Sequence, residues 1–341
     1  MLKNIYIYPN TSRDSNLGLY NPYIDDLTRS FSNYYKFINK EKPSNSGIFD
    51  LLKYLNKTDY IFFNWIEKLP ENKGGTIQTL FLFLLFPILG LYNIKIIWTM
   101  HNKLSHSKKH LFLKKMIFKK MLKKADHIIT HSTEGIKYGE SIVPGSGKKI
   151  HYFPHPVKDR RRNEQKDFLY DILIWGTISP YKGIDKFLEF LHSNNLDAKY
   201  KILIIGKSTS ESYFEQISKY SNQNIQIQNK FIEDDMLRDL IKQSKIVLFT
   251  YSKSSILSSG VLMDSIGYGA NIIGPNVGAF SDLAEEGILN IFKDFETLIP
   301  VIDRQLNNKE FEKNKEKFDI FLTNNTWNKF AENAHLIIST I

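Results

Sequence analysis

Short apolar runs alternate with amphipathic stretches along most of the chain, and this alternation predicts parallel α/β sheets. KNIYIYP (3–9) has the pattern of a buried first strand. Residues 10–22 are polar, contain Gly18 and Pro22, and predict a loop, with a helix following from Tyr23 to about Tyr35. DYIFFNW (59–65), KIIWTMHN (95–102), DHIITHS (126–132) and HYFPHP (151–156) predict further strands, the last preceded by the Gly/Pro loop VPGSGKK. Residues 76–92 are strongly apolar, are interrupted by Pro87 and Gly90, and fall short of the ~18–20 residues that span a bilayer. They predict a buried helix, with a membrane-dipping helix as the alternative. A Lys-rich helix is predicted over about 107–124.

The stretch VKDRRRNEQKDF (157–168) has almost no apolar content and reads as a linker, with His151 and His155 in a turn just before it. The alternation then restarts. Strands are predicted at DILIWG (171–176), KYKILIIG (199–206), NIQIQNKF (224–231), KIVLFTY (245–251) and NIIGPN (271–276). Helices are predicted at GIDKFLEFLHS (183–193), ESYFEQISKYS (211–221), DDMLRDLIKQS (234–244) and GVLMDSIGYG (260–269). The expected architecture is two doubly wound, Rossmann-like α/β domains, 1–157 and 168–320. A closing helix at 325–341 is expected to pack back on the first domain. In such sheets ligands bind at the carboxyl ends of the strands, here expected to face a cleft between the domains.

Composition narrows the class. With 341 residues, 42% apolar and 24% charged, the chain has a globular balance and is long enough to bury two cores. It has no cysteine, which excludes disulfides, thiolate metal sites and a Cys nucleophile and fits a reducing compartment. Met1 to Pro9 lacks the pattern of a signal peptide. The net charge is +10. Residues 1–157 hold 23 Lys/Arg against 11 Asp/Glu, and residues 158–341 hold 23 against 25, so the whole basic excess lies in the first half. That asymmetry points to an anionic partner: nucleic acid, an anionic membrane face or a phosphorylated substrate.

Two segments suit a diphosphate. In GTISPYKGID (176–185) a strand ends at Gly176 and Lys182-Gly183 opens a helix, so free backbone N–H groups, the helix dipole and a full positive charge converge. In SSILSSGVLMDSIGYG (254–269), Ser258, Ser259 and Gly260 precede a helix, and Asp264 stands one turn further on, in reach of vicinal hydroxyls such as those of a ribose. The bland alternatives are an ordinary helix start with an exposed Lys, and a Ser N-cap ahead of a buried helix.

In this order the two segments resemble the nucleotide-sugar site of GT-B glycosyltransferases, in particular the group 1 set (glycosyltransferase family 4). The family's G-R-L-x-x-x-K-G-like turn matches Gly176-Thr177-Ile178 through Lys182-Gly183. Its E-x7-E segment, ending E-A-M-A-x-G, matches the stretch through Asp264-Ser265-Ile266-Gly267-Tyr268-Gly269. GPNVGAF, ADHIITHS and KKIHYFPHP match as well. The chain departs from the family at Thr177, which replaces an Arg, at Asp264, which replaces the second Glu, and at Ile256, which replaces the first. The resemblance implies a donor site of Gly176, Thr177, Lys182, Ser258, Ser259, Gly260, Val261 and Asp264. It implies catalytic contacts from His101 and Asn102 just past a first-domain strand, and an acceptor-side loop with Asn10, Asn21 and Tyr23. It further implies a nucleotide-diphosphate-sugar donor as substrate, no cofactor or metal, and retention of anomeric configuration. An inverting relative would need a carboxylate base such as Asp14, Asp25 or Asp26.

Other patterns carry less. Glu233-Asp234-Asp235 precedes MLRDLI, where acids suit a helix N-terminus rather than a metal. No H-x3-H pair lies within a predicted helix in a form suited to zinc, and no G-x-S-x-G or P-loop occurs. Residues 101–124 contain nine Lys and no acid. On a helical wheel Leu111, Ile117, Phe118, Met121 and Leu122 form a core-facing arc. Lys108, Lys115, Lys119 and Lys123 share the opposite arc with Phe112 and Met116, a mixture suited to an anionic membrane surface. The leading expectation is a metal-independent glycosyltransferase on the inner face of the cytoplasmic membrane, acting on a lipid-linked or surface-glycan acceptor. The alternatives are a nucleotide-sugar 2-epimerase of the same fold and a nucleic-acid-binding protein. No nucleic-acid module is legible to support the last.

Overall fold

A computed structural model describes residues 2–11, 21–40, 42, 46–103, 109–162, 167–251, 257–307 and 315–340. The chain divides into two compact units, Met1–Pro154 with Asn325–Ile341, and His155–Asn324.

Unit 1 is built on β1 (Lys3–Tyr8), α1 (Tyr23–Phe31), β2 (Tyr35–Phe37), β3 (Tyr60–Asn64), α2 (Gly75–Leu91), β4 (Lys95–Met100), α3 (Leu111–Lys124), β5 (His127–Thr130), α4 (Thr133–Ile142) and β6 (Ile150–Tyr152). The strands form one parallel sheet in the order β2-β1-β3-β4-β5-β6, with Ile5 opposite Tyr60, Phe62 opposite Ile97 and Thr99 opposite Ile129. β3 is buried along its whole length, which is why these strands read as unbroken apolar runs. The β1→β2 step runs opposite to β3→β4→β5. Right-handed connections therefore place α1 on one face and α2 and α3 on the other. The helix Trp327–Ile338 packs on α1, where Phe330, Ala331, Ala334 and Ile338 join Leu27 and Phe31 in the core.

Unit 2 continues with β7 (Tyr170–Trp175), α5 (Ile184–Ser193), β8 (Ile202–Gly206), α6 (Glu211–Ser218), β9 (Ile225–Asn229), α7 (Asp234–Lys242), β10 (Ser244–Leu248), α8 (Gly260–Gly267), β11 (Ile272–Pro275), α9 (Ala279–Glu285), β12 (Asn290–Phe292), α10 (Phe295–Asn307) and α11 (Lys315–Asn324). Its parallel sheet has the order β12-β11-β10-β7-β8-β9. Aliphatic layers cover both faces, one around Leu203, Leu262 and Phe280 and the other around Ile204, Phe187 and Leu298.

Several sequence expectations change. Helix α2 is not fully buried: Leu82, Leu85 and Leu89 enter the core, while Ile77, Leu80, Leu84 and Leu91 face solvent, because one face of a helix is all that a sheet can cover. Helix α3 begins at Leu111 rather than near 107, after His110 with φ 51°, and Leu111 is exposed rather than in the core. Its inward face instead includes Lys114, a residue no apolar stripe predicts. His151 lies in β6, not in a turn, and its Nε2 is 2.9 Å from His127 Nδ1. The charged stretch after Val157 is no free tether. Val157 is in the unit 2 core, and Arg160 donates its backbone N–H to the Gly267 carbonyl at 2.8 Å. Helix α1 ends at Phe31 rather than near Tyr35, which instead opens β2. β2, α4, α9, β12, α10 and α11 were not legible; the buried residues of α4 are Gly135 and Gly139, which give no hydrophobic signal.

Candidate active site

In unit 2 the neighbours of β7 are β8 on one side and β10 on the other, so the direction of winding reverses between β7 and β10. In doubly wound sheets such a reversal is where ligands bind, at the carboxyl ends of the strands. The β7 loop carries Gly176 and Lys182. The β10 loop carries Tyr251 and leads to Ser259 and α8. Thr250 Oγ1 donates to the Lys182 carbonyl at 2.7 Å and ties the loops together.

Gly176 has φ 92°, a backbone conformation that favours glycine, and a Cβ there would stand 3.0 Å from Lys182 Nζ and 3.3 Å from Val261 Cγ2, crowding the ammonium. Lys182 is fully buried. Its Nζ donates to the Trp175 carbonyl at 3.4 Å and lies 5.6 Å from the centre of the Tyr251 ring. Among the described residues no carboxylate forms an ion pair with it. Burial alone pushes its ammonium down from 10.5 to about 7. Gly183, at φ 67°, hands the chain into α5 with no side-chain cap. Ser259 likewise leaves the start of α8 without a side-chain cap, its hydroxyl lying 3.3 Å from the Tyr251 hydroxyl. Both helices therefore present first-turn N–H groups that lack intrahelical acceptors. Ser258 Oγ is buried with no partner among the described residues. Gly176, Lys182, Ser259 and Val261 thus converge, with half-buried Thr177 next to Gly176 and exposed Gly260 opening α8. An anion fits this arrangement chemically, since it would supply the charge that Lys182 lacks.

Asp264, one turn into α8, is partly exposed and pairs with Arg160 at 3.2 Å; that guanidinium also donates to the Tyr268 hydroxyl at 3.2 Å. Sequence reasoning missed Arg160, which sits in a charge run that reads as linker, and Tyr251, which reads as the end of a strand. Ile256 lies outside the described residues.

In unit 1 the carboxyl ends of β1, β3, β4 and β5 bring aromatic and polar groups together. His101 is stacked on Trp65 (4.2 Å, 14°) and meets Tyr23 edge-on at 4.7 Å. Its Nε2–H donates to Asn64 Oδ1 at 3.1 Å. His131 Nδ1–H donates to the Phe153 carbonyl at 2.9 Å, so its Nε2 accepts from the Tyr23 hydroxyl, also at 2.9 Å. Asn102 is buried beside His101 in the chain. Of the loop candidates only Tyr23 joins this cluster. Asn21 Oδ1 accepts from the Tyr23 backbone N–H, and Asn10 Nδ2 donates to the Asn39 and Lys42 carbonyls, so both hold loop backbone. Asp25 is paired with Lys40 and Asp26 with Arg29; Asp14 lies outside the described residues. The sequence held no signal for Asn64, Trp65 and His131 as neighbours of His101.

On α3, Phe112, Lys115, Met116, Lys119 and Lys123 are all exposed, and Lys108 lies outside the described residues. No group of three or more His, Asp or Glu among the described residues is placed to hold a metal ion. Among the described residues no helix is long and apolar enough to cross a membrane.

Residues 157–318, within unit 2, match the family model of glycosyl transferases group 1. Among solved structures the chain is similar to HepE of Anabaena bound to UDP and glucose, at 10% identity and TM-score 0.71 with each chain covered in full. It is similar also to a glycosyltransferase of Rickettsia africae, at 12% identity and TM-score 0.65 over 98% of this chain and 97% of that one. An α,α-trehalose-phosphate synthase (UDP-forming) of Burkholderia vietnamiensis follows the same fold at 12% identity and TM-score 0.58, over 93% and 81% of the two chains. No curated protein matches the chain by sequence. The two doubly wound units are thus those of the GT-B fold. The chain carries a glycosyl transferases group 1 domain at residues 157–318 within a GT-B fold, which supports a glycosyltransferase.

Proposed function

We propose that this glycosyltransferase takes a uridine-diphosphate sugar and transfers the sugar, with retention and without a metal, to a lipid-linked or surface-glycan acceptor at an anionic membrane face. The observation that carries the donor site is Lys182, a buried ammonium with no carboxylate partner among the described residues, at the winding reversal of unit 2. Lys182 and the amides opening α5 and α8 would hold the diphosphate, with Asp264 at the ribose. When the anomeric carbon–oxygen bond breaks, the diphosphate leaves with added negative charge, and these groups supply the compensation that a metal supplies elsewhere. The UDP found with HepE and the UDP-forming synthase support uridine as the base. His101 and Asn102 are assigned to the transferred sugar. Retention is what the family resemblance implies; Asp25 and Asp26, two of the three carboxylates an inverting mechanism could call on, are held in ion pairs with Lys40 and Arg29. The basic excess of the first half and the exposed lysines of α3 support docking on an anionic leaflet.

Calorimetry with UDP, GDP and ADP tests the donor site. UDP should bind tightest, and Lys182→Met should weaken it by about 1.5–3 kcal/mol, the worth of a charged hydrogen bond. Unchanged affinity removes Lys182 from the site. Transfer should survive EDTA, and the anomer of the product decides the stereochemistry. The triple change of Lys115, Lys119 and Lys123 to Glu should abolish binding to anionic liposomes; persistence removes α3 from the contact.

A further inference from the structure

Helix α2 contains no charged residue in its 17 positions. Its inner face is fixed in the unit 1 core by Leu82, Leu85 and Leu89, so the helix cannot rotate or leave the sheet without opening that core. On its outer face Ile77, Leu80, Leu84 and Leu91 are 65%, 57%, 70% and 85% exposed, and Pro87 is exposed between them. The steps 77, 80, 84, 87 and 91 follow the helical repeat, so these side chains make one apolar stripe about 21 Å long at 1.5 Å per residue. An uninterrupted stripe of this kind on a surface marks a contact.

The neighbouring helix says what the contact is. α3 packs beside α2, with Lys120 Nζ 5.7 Å from the centre of the Phe86 ring. It exposes Phe112 (74%), Leu111 and Met116, interleaved with Lys115, Lys119 and Lys123. Neither helix contains an acid. A second copy docked face to face on these helices would set lysine against lysine with no carboxylate to relieve it. An anionic leaflet meets both demands at once, with acyl chains for the stripe and headgroup phosphates for the lysines.

We propose that α2 is a membrane-insertion element: it lies in the plane of an anionic leaflet with the Ile77–Leu91 stripe in the boundary between headgroups and acyl chains, while the α3 lysines engage the headgroups beside it. This rests on the membrane-docking reading above and goes beyond it, since it assigns the apolar, salt-resistant part of binding to a helix that carries no charge.

The full chain is tested on vesicles of phosphatidylcholine alone and of phosphatidylcholine with phosphatidylglycerol, over a salt series. Leu80→Gln combined with Leu84→Gln should lower partitioning at high salt at least tenfold, with UDP binding and melting temperature kept as the check on folding. Because the chain has no cysteine, Leu84→Cys can carry an environment-sensitive fluorophore without further changes. Its emission should shift to the blue on anionic vesicles, and that of a label at Ser32→Cys, across the sheet at the end of α1, should not. Wild-type protein that ignores anionic vesicles at low salt overturns the docking reading and this one with it. Wild-type binding that the Lys→Glu triple variant abolishes, but that the Leu→Gln variant retains at every salt with a silent Leu84 label, overturns the insertion role alone. A lipid-free dimer that the Leu→Gln variant dissolves assigns the stripe to a second copy and likewise overturns it.

Discussion

Lys114 and Lys182 are both buried, at 0% and 2% exposure, one in each unit, and they are buried on opposite terms. Lys114 is on the inner face of α3 and forms an ion pair with Glu71, 43 residues earlier in the chain, with Glu67 close enough to feel its charge. Lys182 ends a turn after β7 and finds a carbonyl oxygen and an aromatic ring but no described carboxylate. A buried cation that is neutralised internally fixes a structure; one left unmatched at the carboxyl end of a sheet holds a place for an anion. The contrast between a stapled unit and a poised one is open to experiment.

The largest effect is expected at Lys182. Its folded value of about 7 lies below the 10.5 of an exposed lysine, so the fold binds its proton more weakly than the unfolded chain does. The cost is full below pH 7 and fades as pH rises toward 10.5. At 1.36 kcal/mol per unit it is on the order of 5 kcal/mol. Lys182→Met should therefore raise stability in urea unfolding at pH 6, and the gain should shrink at pH 10, even as UDP affinity falls. A destabilised variant would mean that the ammonium is matched after all.

Lys114→Ala should do the reverse, costing about 3 kcal/mol, because Glu71 is left without its cation in a partly buried position. UDP binding measured by calorimetry should be unchanged. A loss below ~1 kcal/mol would dissolve the distinction between the two lysines.

Glu67 sharpens the same comparison. It is buried, neither carboxylate oxygen has a hydrogen-bond partner among the described residues, and burial outweighs the nearby Lys68 and Lys114, pushing the carboxyl up to about 7. The folded state favours the protonated acid, so stability falls as pH rises from about 4.5 through 7 and stays low above it. Glu67→Gln should flatten that pH dependence and stabilise unit 1 at pH 8 by roughly 2–3 kcal/mol. An unaltered pH profile of thermal unfolding would show that Glu67 is solvated.

The smallest effect is expected at Asp264. Its pair with Arg160 is partly exposed, so Asp264→Asn should change stability by less than ~1 kcal/mol. UDP affinity should fall by about 1 kcal/mol if the carboxylate meets the ribose. Unaltered affinity would place the nucleoside elsewhere along α8.

Much of this was legible beforehand. Parallel strands buried on both faces appear as apolar runs, so β3, β4, β7, β8 and β10 could be read off the chain almost to their ends. The two helix starts after Gly183 and Ser259 were legible because the turn chemistry is local: glycine where φ is positive, serine where a helix begins. Elements packed through small or polar groups escaped, as α4 did with its Gly135 and Gly139, and β2 is only three residues long. The cluster around His101 escaped because Tyr23, Asn64, Trp65 and His131 come from the ends of different strands, and no spacing along the chain encodes their meeting.

The sequence by itself determined two α/β units, a basic first half, and a glycine–lysine turn followed by a serine–glycine helix start. Each depends on residues within a few positions of one another, or on a sum over many residues. Only the tertiary structure decided which lysine is neutralised and which is not, and which face of the uncharged helix α2 is left to solvent. Both outcomes turn on contacts between distant segments, Lys114 with Glu71 and α2 with its sheet. The cost of burying a charge and the gain from burying a leucine are set by what lies across the gap, not by what is next in the chain.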